Sequence, residues 1–116
     1  MSVSVTELGI TSRERAVQYM ENKGLFAREG AMDSGDLEDV HWHVTSLLIC
    51  VLGGSFETRD VVAGRTVMAG PGDLISIPAK TLHAARCPEP ASYVVGFESE
   101  HAAKSFRPER PEDLQD

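Results

Sequence analysis

With 116 residues the chain has material for one domain with a modest core, and association of two copies would bury more apolar surface. Its 18 acidic against 11 basic side chains give a net charge of −7, which argues against nucleic acid or an anionic membrane surface as a partner, because both reward clustered Lys and Arg. No apolar run approaches the roughly 18 residues of a membrane span, and Met1-Ser2-Val3-Ser4-Val5-Thr6 has neither the basic nor the apolar region of a signal peptide.

Residues 1–10 read as an extended arm or a short edge strand. Thr11 as N-cap with Glu14 three positions on matches a capping box, and Ala16, Val17 and Met20 then share a helical face. Gly24 after Lys23 is a suitable stop. Gly30, Asp33-Ser34-Gly35-Asp36 and Glu38-Asp39 read as turns or loops. From Val40 the pattern is β: Val44 to Leu52 ended by Gly53-Gly54, then Ser55 to Arg59 and Arg65 to Met68. After a turn at Pro71-Gly72-Asp73 come Leu74 to Ile77, stopped by Pro78, Leu82 to Arg86, stopped by Pro88 and Pro90, and Ser92 to Glu98. Arg59 and Asp60 read as the solvated end of a hairpin strand. Beyond Ala103 the chain is rich in proline and charge and reads as a loose tail. Short strands with Gly/Pro turns predict an all-β sandwich or barrel with one short N-terminal helix.

The chain has four histidines. His41 and His43 flank Trp42, and on a strand they point the same way, about 6.5 Å apart along the backbone. His83 follows a second apolar run, Leu74 to Ile77, and the turn after it. Imidazoles inside a small barrel, with few other polar groups nearby, need partners or a metal. Neutral imidazoles suit Fe, Zn, Ni, Mn or Cu, and the residues alone do not choose among them.

The order and spacing of these residues resemble the cupin superfamily. Its first motif is a glycine, a gap, His-x-His, three or four residues, Glu, six residues and Gly. Its second is Gly, five residues, Pro-x-Gly, two residues, His, three residues and Asn. His41, His43 and Gly53 or Gly54 match the first motif; Gly72, Pro78 and His83 match the second. The resemblance covers residues 37–98 and implies a double-stranded β-helix, a jelly-roll barrel, holding a metal. The whole chain is then a single cupin domain over 1–116, with an N-terminal arm and helix over 1–30, a barrel over 37–98 and a loose tail over 104–116.

The departures bear on chemistry. The glutamate ligand falls at residue 47 or 48, and both are leucine. Lys80 stands in place of the second glycine, and Arg86-Cys87 in place of the asparagine. A site of His41, His43 and His83 is neutral, leaves a divalent ion its full charge, and favours an anionic or bidentate ligand. Three-histidine sites occur among cupin-like thiol and diketone-cleaving dioxygenases, so the resemblance implies an Fe(II) oxygenase acting on a small chelating acid, thiol or diketone. The alternatives are a non-enzymatic small-molecule or metal-binding module, and a metal-assisted isomerase or lyase. No catalytic side chain is singled out.

Four further positions are candidates for the pocket. Leu48 stands at the missing ligand. Glu57 is the nearest alternative acid, although inward-facing Phe56 and Thr58 would turn it outward. Cys87 shares the face of His83 on an uninterrupted strand, but a buried small hydrophobe is the simpler reading for it and for Cys50. Lys80 lies near the barrel mouth, where a cation could attract an acidic substrate. Glu98 reads as a solvated strand-end acid, opposite Tyr93, Val95 and Phe97. With two cysteines and no disulfide framework, a reducing cytoplasm is the expected location, and a homodimer the expected assembly.

Overall fold

The computed structural model describes residues 2–114. In chain order the elements are β1 (Ser4–Ile10), α1 (Arg13–Asn22), β2 (Phe26–Met32), β3 (Leu37–His41), β4 (Leu47–Asp60), β5 (Arg65–Ala69), β6 (Gly72–Ile77), β7 (His83–Phe97) and α2 (Glu100–Lys104), with a 3-10 turn at Pro111–Asp113. The ambiguous N-terminal segment is therefore a strand. Helix α1 is capped by Ser12, one residue beyond the predicted Thr11, with the Ser12 hydroxyl accepting the Arg15 N–H at 3.4 Å. Gly24, at φ +77°, ends the helix as the sequence predicts.

The seven strands make one antiparallel sheet with the order β1-β6-β4-β7-β2, to which β3 adds on β7 and β5 on β4. The long strands β4 and β7 serve two layers. Leu47 to Cys50 pair with β6, and Phe56 to Asp60 with β5, while β7 follows β4 through both halves. The bend lies where the β4–β7 register shifts between Val51 and Glu57. There Gly54 has φ +74°, and a Cβ on it would meet the Pro90 carbonyl oxygen at 1.8 Å, so only glycine allows this close approach. Pro88 and Pro90 do not stop β7: they occupy the bend, where few ladder hydrogen bonds are asked of them.

The sheet folds over on itself but does not close. The expected jelly-roll barrel is corrected on this point: closure needs a ladder between the outer strands, whereas β1 pairs with β6 and β2 with β7 and neither continues to a further strand. The all-β expectation with one helix is likewise replaced by a mostly-β fold with the additional short helix α2. Strands β2 and β3 fall where the sequence shows turns. Both are edge strands, FAREGAM and LEDVH, with charged and half-exposed positions that blur the two-residue alternation.

Alternation along β4 separates two apolar layers. Leu47, Ile49 and Val51 face the fold interior with Phe56, Ile75, Ile77 and Phe97. Cys50 faces outward with Leu74 and Val94, and there α1 lays Ala16 and Met20 on the sheet. Gly96 makes this packing possible, since a Cβ would lie 2.6 Å from the Met20 sulfur. No helix among the described residues is long and apolar enough to cross a membrane.

Candidate metal centre

His41 and His83 are direct cross-strand partners at the end of β3 and the start of β7. His43 follows two residues after His41, where the chain leaves β3, and its carbonyl accepts the Lys80 N–H at 2.8 Å. That bond ties the first histidine segment to the turn before His83. Lys80 holds the turn at φ +61°, the left-handed region where the family's motif has glycine. The three rings converge, with centroids 4.7 Å apart for His41–His43, 4.3 Å for His41–His83 and 4.9 Å for His43–His83. One ligand atom from each lies within 4.8 Å of the others, and all three residues are buried.

Hydrogen bonding presents two of the rings as ligands. His41 Nδ1 contacts the Asp39 carbonyl, and His83 Nδ1 the Thr81 carbonyl at 2.8 Å. A carbonyl only accepts, so each Nδ1 carries a proton, which leaves Nε2 as the nitrogen available to ligate. Nδ1 of His43 is buried without a hydrogen-bond partner. Burial, and then the neighbouring His83 and His41, lower the His43 pKa to about 3. Burial lowers that of His83 to about 4, with His41 acting the same way and the Thr81 carbonyl and Asp60 against it. Near neutral pH both rings are uncharged, as ligands must be.

No carboxylate joins the cluster among the described residues. Glu57 accepts from Arg86 Nε at 2.7 Å on the outer face. Glu98 accepts the Thr45 hydroxyl at 2.6 Å and the Ser46 N–H at 2.8 Å, and the two bonds hold its pKa below the usual carboxylate range. Of the leucine pair, Leu47 faces the interior and Leu48 packs on the α1 side. Cys87 is fully buried, with Sγ 3.8 Å from the Met32 sulfur, and burial pushes its thiol pKa up. Lys80 is exposed.

Beneath the rings lies a cavity of about 140 Å3, with His43 and His83 on its wall. Leu47, Ile49, Ile77 and Phe97 make it apolar, while Arg28, Glu38 and Tyr93 supply polar groups. Arg28 is held over the Phe97 ring at 4.7 Å and donates to the Ala103 carbonyl at 2.9 Å. Gly30 clears space for the Tyr93 ring, since a Cβ there would lie 2.4 Å from Tyr93 Cε1. Burial and then Glu38 raise the Tyr93 pKa, so its phenol stays protonated.

Two residues that shape the centre escape sequence reading. Asp60, paired across the ladder with His83, is 1% exposed rather than solvated. It accepts the Val3 N–H at 2.9 Å and the Ala63 N–H at 3.0 Å. Burial alone would raise its pKa, but these bonds and the Arg65 charge hold it low. Its acceptor role in a turn ending at Gly64 was the available signal. The second is Phe106, in the segment expected to be a loose tail, whose ring lies 4.5 Å from that of His43. The same segment is clamped to Trp42, which exchanges backbone bonds with Glu109 and donates its indole N–H to the Arg110 carbonyl at 2.8 Å. An aromatic residue in a polar, proline-rich stretch was the sign of this anchoring; residues 115–116 of the segment lie outside the described range.

No protein-family model matches the sequence, and no curated protein is similar to it. Solved structures are. A DUF861 family protein from Thermotoga maritima superposes with a TM-score of 0.57 at 14% identity, over 82% of this chain and 98% of that one. An RmlC-like cupin from Shewanella frigidimarina does so with a TM-score of 0.55 at 25% identity, over 78% of this chain and 71% of that one. This is a cupin-superfamily fold. The DMSP lyase DddQ from Ruegeria pomeroyi is also similar, with a TM-score of 0.61 at 21% identity over 78% of this chain and 44% of that one. Salicylate 1,2-dioxygenase from Pseudoaminobacter salicylatoxidans has a TM-score of 0.57 at 14% identity, over 72% of this chain and 23% of that one. The cupin domain described here thus shares its fold with enzymes of different chemistries, and its three-histidine cluster is able to coordinate a divalent metal ion.

Proposed function

We propose that this cupin is an Fe(II)-dependent oxygenase acting on a small, anionic, chelating substrate: an organic acid, a thiol or a diketone. The observation that carries the reading is a cluster of three buried histidines, with no carboxylate among them, two of which, His43 and His83, line a largely apolar cavity. Held by His41, His43 and His83, ferrous iron would supply open coordination positions and redox chemistry with O₂. The protein's own part is positioning and exclusion. The Asp39 and Thr81 carbonyls orient two of the ligand rings. Leu47, Ile49 and Phe97 keep water from the reacting face. Because the ligand set is neutral, the ion's charge is left for the substrate to neutralise. The small-molecule partner, the cytoplasmic location and the homodimer belong to this reading as proposals.

Metal-assisted isomerase or lyase chemistry is the second reading. It is favoured by the Tyr93 phenol on the cavity wall, which stays protonated and is a candidate general acid. The test is elemental analysis of protein purified without added metal or chelator, followed by O₂-uptake assays on a panel of thiols, diketones and aromatic acids. Stoichiometric iron with substrate-dependent O₂ uptake is the expected result. Turnover without O₂ by a zinc or nickel form would replace the oxygenase with the second reading. Tight metal binding with no turnover would leave a binding module.

A further inference from the structure

We infer that Phe106 sets the size of the ligand admitted to the metal centre, and that the native substrate class is confined to molecules of a few heavy atoms. The inference rests on the metal-centre reading above and deepens it. Two spaces meet at His43. The inner cavity, about 140 Å3, is the apolar one described above. An outer depression of about 320 Å3 has Thr45, Glu98, His101 and Arg107 among the residues on its walls. His43 and Phe106 line both. The Phe106 ring is therefore the removable part of the partition, since the other part is a metal ligand.

The geometry holds that ring firmly. It lies 4.5 Å from the His43 ring at 39°, and 5.2 Å from the Phe97 ring in an edge-to-face arrangement. The chain on either side is fastened. Upstream, α2 is capped by Ser99, whose hydroxyl accepts the Ala102 N–H at 3.0 Å, and Ser105 N–H returns to the His101 carbonyl. Downstream, Glu109 and Arg110 are clamped to Trp42, the residue between the two histidines of the His-x-His pair. The wall of the ligand space is thus tied to the strand end that carries the ligands, so ring and metal site keep a common frame. Truncating the ring would join the inner cavity to the outer depression and let a ligand bound at the metal extend outward past His43.

The test uses the full chain loaded with Co(II), whose visible absorption reports ligands at the metal without any turnover. Azide, acetate, benzoate and 2-naphthoate are titrated into the wild type, Phe106→Ala and Phe106→Leu, each checked for fold by circular dichroism. In the wild type, azide and acetate are expected to perturb the spectrum and 2-naphthoate is not. In Phe106→Ala, 2-naphthoate should gain about tenfold or more in affinity while azide is unchanged, with Phe106→Leu between the two. If the order of affinities is the same in all three proteins while azide still perturbs each spectrum, the size-setting role is overturned and the metal centre stands. If neither the wild type nor the variants take up cobalt, the metal reading itself fails and this inference with it.

Discussion

At the scale of single residues, the centre depends on holding three imidazoles together in a small buried volume. Removing one ligand, as in His41→Ala or His83→Ala, should weaken Co(II) or Zn(II) binding by at least about 100-fold, beyond what a change behind the ligands costs; competition with a chelating dye measures this. The same burial makes the metal-free protein sensitive to acid. The folded-state pKa values of His43 and His83 are depressed to about 3 and about 4. Below the unfolded value of about 6.5 the unfolded chain therefore binds more protons, so stability falls with falling pH. The contribution is complete above that value and is lost progressively down to the folded values, at no more than about 1.4 kcal/mol per pH unit for each ring. Urea melts of chelator-treated protein between pH 7 and pH 5 should show the decline, and a flat profile would contradict it. Lys80 offers the opposite kind of test. Its φ of +61° suits glycine better, so Lys80→Gly should stabilise the fold by up to about 1 kcal/mol while keeping the N–H bond to His43. A stability loss in denaturant titration would show that the lysine side chain matters.

At the scale of elements, the long strands β4 and β7 do what the histidines cannot do alone. They carry one ladder through both layers and so bring His83, on β7, beside the end of β3. The bend that permits this has a backbone contact at Gly54 that no side chain fits. Gly54→Ala should destabilise the protein by more than about 2 kcal/mol, combining a left-handed backbone with a clash against the Pro90 carbonyl. Gly64→Ala is the comparison: it has a similar φ of +69° and open space around it, so it should cost less. Equal effects at the two sites, measured by chemical denaturation, would remove the argument for close approach. Much of the arrangement was legible in local pattern. The dense apolar run of residues 44–52 announced the first half of β4, though not its continuation through Gly53-Gly54 into the segment read as a separate strand, and the helix signals around residue 14 announced α1. Strands β2 and β3 were not, because an edge strand has one side in water and takes charged residues on it. The prolines of β7 misled for a related reason: they sit where the ladder is interrupted, not at a strand end.

At the scale of the whole molecule, metal binding and folding are one equilibrium. The three ligands come from two segments about forty residues apart, brought together by the folded sheet, and the unfolded chain offers no comparable cluster. A divalent ion at about 100 times its dissociation constant should stabilise the native state by about 2.7 kcal/mol, provided it has no affinity for the unfolded chain. The expected outcome is a rise in Tm with added metal in the wild type and none in His43→Ala. A rise of the same size in both would place the ion elsewhere.

What the amino-acid order determined by itself is the part of the site that is short-range. A strand repeats every two residues, so the spacing of His41 and His43 predicted a shared face, and their rings do converge although His43 lies just beyond the end of β3; the spacing of Gly72, Pro78 and His83 carried the resemblance that placed the third ligand. The absence of a glutamate at 47 and 48 was equally plain. Tertiary structure alone decided which leucine looks inward, that Asp60 is buried under the N-terminal arm, that Phe106 packs against the His43 ring, and that the sheet stays open. Each of these depends on contacts between segments far apart in the chain. Local periodicity holds no information about which edges meet, so only the folded backbone could set them.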